Sequence, residues 1–184
     1  MSRLFIFFTG CILIFHCWAE EFLEADIFRL VNNSVVCTTE NDTITNPEAC
    51  LPCLQIGNIG IGSVVGDIEE KYYNVLRRIN NSNNSYIKVY LIEGDNSNFT
   101  YLIVNYLNNK AVSIQLTGSP TQNELSFSGI SLGDSMEKVK RTLGEPVDIK
   151  PVAEISGKMW GYRPYTFNFE FVGDTVYSIA IWKP

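Results

Sequence analysis

The chain has 184 residues, 46% of them hydrophobic and 12% aromatic, a globular composition long enough for one compact domain or two small modules sharing a core. Fourteen Lys and Arg stand against 20 Asp and Glu, for a formal net charge of −6. An acidic chain with no Lys/Arg cluster is a poor candidate for binding a phosphate backbone, so no nucleic-acid partner is expected.

Met1 to Ala19 reads as a secretory signal. Arg3 supplies the positive start, Leu4 to Phe15 the apolar stretch, and Cys17-Trp18-Ala19 the small-residue cleavage site. The apolar run is short for a membrane span and is followed at once by Glu20, Glu21 and Glu24, so no stable membrane insertion is expected. Phe8-Thr9-Gly10-Cys11 offers a competing lipid-attachment reading at Cys11, but it lacks the usual leucine and the apolar run continues past it. The chain's one histidine, His16, lies inside this segment. Cleavage would leave no imidazole, which excludes Ser/His/Asp, Cys/His and histidine-rich zinc sites. No catalytic residue, metal or cofactor is therefore expected. A carboxylate-only enzyme would have to use residues such as Asp134 and Glu170, yet the first reads as a helix cap and the second as an outward strand residue.

Residues 20–54 form an amino-terminal extension that carries Cys37, Cys50 and Cys53. Phe22, Leu23, Ile27, Leu30 and Val31 recur at helical spacing, which predicts a short helix over Glu21 to Val31, followed by a strand over Ser34 to Thr38. Asn41 to Pro52 reads as loop. Export favours a disulfide, and three cysteines allow one bridge, from Cys37 to Cys50 or Cys53. Cys50-Leu51-Pro52-Cys53 has redox-motif spacing without the strand-then-helix context such a motif needs, and three thiols with no evident fourth ligand do not make a metal site.

From there the pattern repeats. Residues 55–118 and 125–184, joined by a linker over 119–124, each run from a glycine loop through a helix into a hairpin. In the first unit Asp67 to Arg78 reads as a helix with a capping pattern at Asp67-Ile68-Glu69-Glu70 and an inner face of Ile68, Tyr72, Val75 and Ile79. In the second, Asp134-Ser135-Met136-Glu137 has the form of a capping box, Met136, Val139 and Leu143 line one face, and Gly144 with Pro146 ends the helix. A three-residue turn at Asn108-Asn109-Lys110 would set Tyr106 against Val112, Val104 against Ile114 and Leu102 against Leu116. The same turn at Gly173-Asp174-Thr175 would set Phe171 against Tyr177, Phe169 against Ile179 and Phe167 against Ile181. The opposite face then shows Tyr101, Ile103, Asn105, Ser113 and Gln115 in one unit, and Thr166, Asn168, Glu170, Ser178 and Trp182 in the other. The expected fold class is α+β, two tandem helix-plus-antiparallel-sheet modules behind a short amino-terminal extension.

Gly133-Asp134-Ser135, the helix ending Leu143-Gly144-Glu145-Pro146 and the Phe-rich hairpin closing at Val176-Tyr177-Ser178-Ile179 resemble the module of the SmpA/OmlA outer-membrane lipoproteins. Two such modules in tandem are similar to the secreted beta-lactamase inhibitor protein family. The likeness covers about Gln55 to Pro184, clear in the second copy and faint in the first. It implies helices packed on antiparallel sheets that form a concave docking surface. This chain departs from the lipoproteins in its poor lipid-attachment box, and from the inhibitors in having no cysteine of the exported chain within the repeats, so beta-lactamase is not carried over as a target.

The resulting expectation is an exported, periplasmic or secreted, non-enzymatic protein that binds another protein as an inhibitor or immunity protein. An outer-membrane assembly or envelope scaffold component is the alternative. The partner-binding candidates are Tyr86, Tyr90, Tyr101, Ile103, Trp160, Tyr162 and Trp182, the large residues that strand alternation or neighbouring segments bring toward the outer face.

Overall fold

The computed structural model describes residues 26–72, 74–95, 98–122 and 125–184. The signal segment, and the part of the expected first helix before Asp26, lie outside the described residues. The described part of that helix is instead a strand, β1 (Ile27–Val31), paired antiparallel with β2 (Ser34–Thr38) through a two-residue turn at Asn32-Asn33. Asn32 and Asn33 both have positive φ, 49° and 62°, the left-handed pair that a tight hairpin requires and that asparagine tolerates best after glycine. Apolar residues in so short a segment fit either period, and here hairpin pairing decides.

β3 (Thr43–Ile44) completes a three-stranded sheet with β1 and β2. Two single-turn 3-10 helices, Pro47–Ala49 and Leu51–Cys53, lead into the short pair β4 (Gln55–Ile56) and β5 (Ile59–Gly60). Cys37 is bonded to Cys53, one of the two expected pairings, and Cys50 is a buried free thiol.

The rest is dominated by one sheet. After α1 (Val65–Lys71) come β6 (Val75–Asn80), β7 (Ser85–Asp95), β8 (Asn98–Leu107) and β9 (Lys110–Gly118). After α2 (Met136–Leu143) come β10 (Asp148–Val152), β11 (Gly157–Gly161), β12 (Phe167–Val172) and β13 (Thr175–Trp182). The order helix-then-four-strands occurs twice, but β13 pairs with β9 and joins all eight strands in the order β10-β11-β12-β13-β9-β8-β7-β6.

This corrects the expected fold class. The molecule is mostly β, with 52% strand, two short α-helices among the described residues and a single eight-stranded sheet, not two helix-plus-sheet modules. The physical reason lies at the seam: Ile179 faces Leu116 and Ile181 faces Ile114, all four at most 1% exposed, so the apolar faces of both halves are buried in one continuous core.

The predicted first helix is also shorter than expected. It ends at Lys71, and Val75 and Ile79, read as its inner face, are exposed residues of β6. α2 matches its expected bounds: Met136, Val139 and Leu143 are buried, Gly144 closes it at φ 79°, and the Ser135 hydroxyl accepts from the Lys138 N–H at 3.2 Å. That hydroxyl is the N-cap, while the Asp134 carboxylate takes the Ser131 N–H at 2.7 Å and pairs with Lys138.

The inner face of the sheet packs against α2, the amino-terminal hairpin and the segment from Leu125 to Leu132. Phe28 of β1 contacts the rings of Phe127, Tyr165 and Phe167 at centroid distances of 5.7, 5.2 and 4.8 Å. Its N–H donates to the Ser128 hydroxyl at 2.9 Å, and the Tyr165 hydroxyl donates to the Val35 carbonyl. The amino-terminal sheet is thus sewn to the second half of the chain, and its disulfide fixes the far end.

Candidate docking face

Side chains alternate across a strand, so the buried set on one face leaves the other set on the opposite face. In β8, Leu102, Val104 and Tyr106 are fully buried and Tyr101, Ile103 and Asn105 are half-buried. In β12, Phe167, Phe169 and Phe171 are buried and Asn168 and Glu170 are half-buried. Cross-strand pairing assembles the second set into rows. One runs Trp182, Ser113, Asn105, Ile87, Ile79. The next runs Asn168, Ala180, Gln115, Ile103, Val89, Arg77. A third runs Met159, Glu170, Ser178, Thr117, Tyr101, Leu91.

Short polar groups on this face are tied down. Gln115 donates to the Ser178 hydroxyl at 2.8 Å across the seam, and the Asn168 amide reaches the Met159 sulfur at 3.3 Å. Phe99 stacks on Tyr101 at 6.1 Å. Trp182 is 37% exposed, and beside it Asn105 Oδ1 and Thr166 Oγ1 are buried without a hydrogen-bond partner. Apolar and small polar groups outnumber charges here; within the three rows only Glu170 and Arg77 are charged. Charge depletion around large apolar side chains is the compositional mark of the centre of a protein interface.

Three of the seven candidate residues, Tyr101, Ile103 and Trp182, come together on this face. The other four face inward, which corrects the expected orientation. Tyr86, Tyr90, Trp160 and Tyr162 are 5%, 0%, 3% and 2% exposed. Tyr86 and Tyr90 share β7's inner face, where Tyr86 donates to Asn109 Oδ1 and Tyr90 bonds Tyr106, both at 2.8 Å. Tyr162 donates to the Gly144 carbonyl at 3.1 Å, and Trp160 packs on Phe171 at 4.6 Å. Met159, Ile87, Val89 and Leu91 were missed. Once Trp160 is placed inward, the period-two rule turns its neighbour Met159 outward, and the same rule applied to β7 would have turned Ile87, Val89 and Leu91 outward.

Burial pushes the Tyr90 phenol up to about 12 and those of Tyr106 and Tyr162 further, and it raises the Cys50 thiol. Among the described residues no group of three or more His, Cys, Asp or Glu could hold a metal ion. A groove between the β1–β2 turn, the end of α2 and the loop at Arg163-Pro164 has an apolar lining that includes Leu30, Val35, Leu143 and Val147. Its cations are already matched, Lys140 with Glu145 at 3.1 Å and Arg163 with Asp148 at 2.7 Å.

No family model matches the chain, and no curated protein matches it. Among solved structures, it is similar to a cysteine-rich secretory protein from Staphylococcus aureus at a TM-score of 0.42 and 15% identity, over 66% of this chain and 44% of that one. The chain thus spans less than half of that protein's length, and a likeness this loose carries no argument about function. No helix among the described residues is long and apolar enough to cross a membrane. The Cys37–Cys53 disulfide is the covalent feature expected of an exported chain.

Proposed function

We propose that this is an exported, non-enzymatic protein that docks a protein partner on the open face of its eight-stranded sheet, acting in the periplasm or outside the cell as an inhibitor or immunity protein. The observation that carries this reading is the set Tyr101, Ile103 and Trp182, gathered on one charge-poor face while the opposite face of the central strands is buried in the core. Aromatic and aliphatic anchors on a rigid sheet lose little entropy on binding, which is why such residues dominate interface energetics.

The test compares the intact chain with a Tyr101→Ala/Trp182→Ala double variant as baits in envelope extract of the native host. The expected result is a stoichiometric protein partner on the intact chain whose affinity drops by roughly tenfold or more on the variant, as for loss of two interface anchors. Failure to recover any stoichiometric partner, or equal recovery on both baits, would overturn the proposal.

A further inference from the structure

The sheet ends in two unlike edges. At one, β10 is blunted: Pro151 has no N–H to offer a further strand, and Lys150 adds a charge. At the other, β6 has no proline, and every one of its residues from Val75 to Asn80 is exposed. It pairs with β7 alone, and among the described residues its outer backbone groups make no further backbone hydrogen bond. Val75, Leu76 and Ile79 remain 37%, 52% and 38% exposed. This is an open template for one more strand.

The charges on β6 say which strand. Arg77 and Arg78 are adjacent, so they point to opposite faces of the sheet, and neither forms an ion pair among the described residues. Arg78 lies over the Tyr86 ring at 4.2 Å and donates to Asn80 Oδ1 at 3.0 Å, which holds its guanidinium in place without neutralising it. Among the described residues, two guanidiniums without an ion pair therefore flank an edge that no further strand covers, on a chain of net charge −6. A second copy of β6 would bring arginines against arginines, which costs stability in cross-strand pairs. A strand with a carboxylate on each face would be complementary.

We infer that β6 accepts an extended segment of a partner protein, apolar with two adjacent acidic residues, as a ninth strand. Backbone hydrogen bonds would supply affinity and the arginine pair selectivity. Arg77 also ends one row of the open face, but the docking anchors Tyr101, Ile103 and Trp182 lie on other strands, so separate variants let the two readings hold or fail independently.

The experiment uses a labelled valine-rich peptide with a central Glu-Glu pair and a matched peptide with Lys-Lys, titrated against the intact chain by fluorescence anisotropy. The Glu-Glu peptide should bind, weaken with added salt, and slow hydrogen exchange at those β6 amides that point away from β7. The double variant Arg77→Glu/Arg78→Glu, both sites exposed, should bind it roughly tenfold or more weakly and favour the Lys-Lys peptide. Absence of Glu-Glu binding, equal binding of both peptides, protection at amides other than those of β6, or no effect of the charge reversal would each overturn the inference. So would sedimentation showing a dimer with these amides already protected, since a second copy would then hold the edge.

Discussion

The paired hydroxyls of Tyr90 and Tyr106 lie 2.8 Å apart in the core, both side chains at 0% exposure. Burial is the main cause that raises both phenols, Tyr90 to about 12 and Tyr106 further, and the bond to Tyr90 adds to the shift of Tyr106. In the unfolded chain both would titrate near their ordinary value of about 10. The folded chain therefore holds its protons where the unfolded chain has begun to lose them. The stability from this pair is fully present below about pH 10 and is lost as pH rises through about 12, on the order of 2 kcal/mol for Tyr90 alone. Alkaline titration followed together by tyrosinate absorbance and circular dichroism should show these phenols ionising only as the β signal collapses. Ionisation near pH 10 with the sheet intact would mean that the pair is not buried. The same residues show where sequence reading fails at this scale. Tyr86, Tyr90, Trp160 and Tyr162 carry a polar atom that suggests a wet surface, yet three of the four satisfy it internally, through Asn109, Tyr106 and the Gly144 carbonyl. Those partners are remote in the chain, and no local pattern announces them.

Among the elements, the hairpins obey a finer rule than alternation. Val104 faces Ile114, Leu102 faces Leu116, Phe167 faces Ile181 and Phe169 faces Ile179, all as the apolar spacing predicts. The turns themselves are shorter than expected. Leu107 pairs with Lys110 and Val172 with Thr175, so each turn has two residues, and the register is restored by an irregularity between Asn105 and Tyr106 in one hairpin and between Glu170 and Phe171 in the other. Tyr106 consequently faces Ala111 rather than Val112, and Phe171 faces Val176 rather than Tyr177. A bulge adds one residue to one strand, which is why a two-residue turn need not throw the apolar set onto the wrong face. The strongly periodic core positions were thus legible, whereas bulges leave no residue signature. The segment Ile68, Tyr72, Val75, Ile79 met the helical period by coincidence, and strand pairing of β6 to β7 overrode it. The turn at Asn108-Asn109 holds φ values of 51° and 61°. Replacing Asn108 with alanine should cost roughly 1–2 kcal/mol, the penalty for a left-handed backbone without asparagine's local hydrogen bonding. Urea titration would register it as a lower midpoint at unchanged slope. A midpoint that does not move would show that the turn is not strained.

At the scale of the molecule, the seam between β9 and β13 decides whether the chain unfolds as one body or two. Leu116 and Ile179 face one another there at 0% exposure, within a core that runs unbroken from Ile68 and Tyr90 on one side to Val139 and Phe171 on the other. A cavity at that point is shared by both halves. Leu116→Ala should therefore cost roughly 2–5 kcal/mol, as a buried large-to-small change does, and the loss should be felt everywhere at once. Trp160 and Trp182 report the half built from β10 to β13, while amide exchange in β7 and β8 reports the other. With one core, denaturation followed by tryptophan fluorescence and by amide protection should give the same midpoint in the parent chain and the same displacement in the variant. Two independent modules would behave otherwise: β7 and β8 would lose protection early while the tryptophan transition stayed where it was. The second pattern would restore the two-module architecture, and with it a hinge at the very strands that now make the open face one rigid platform.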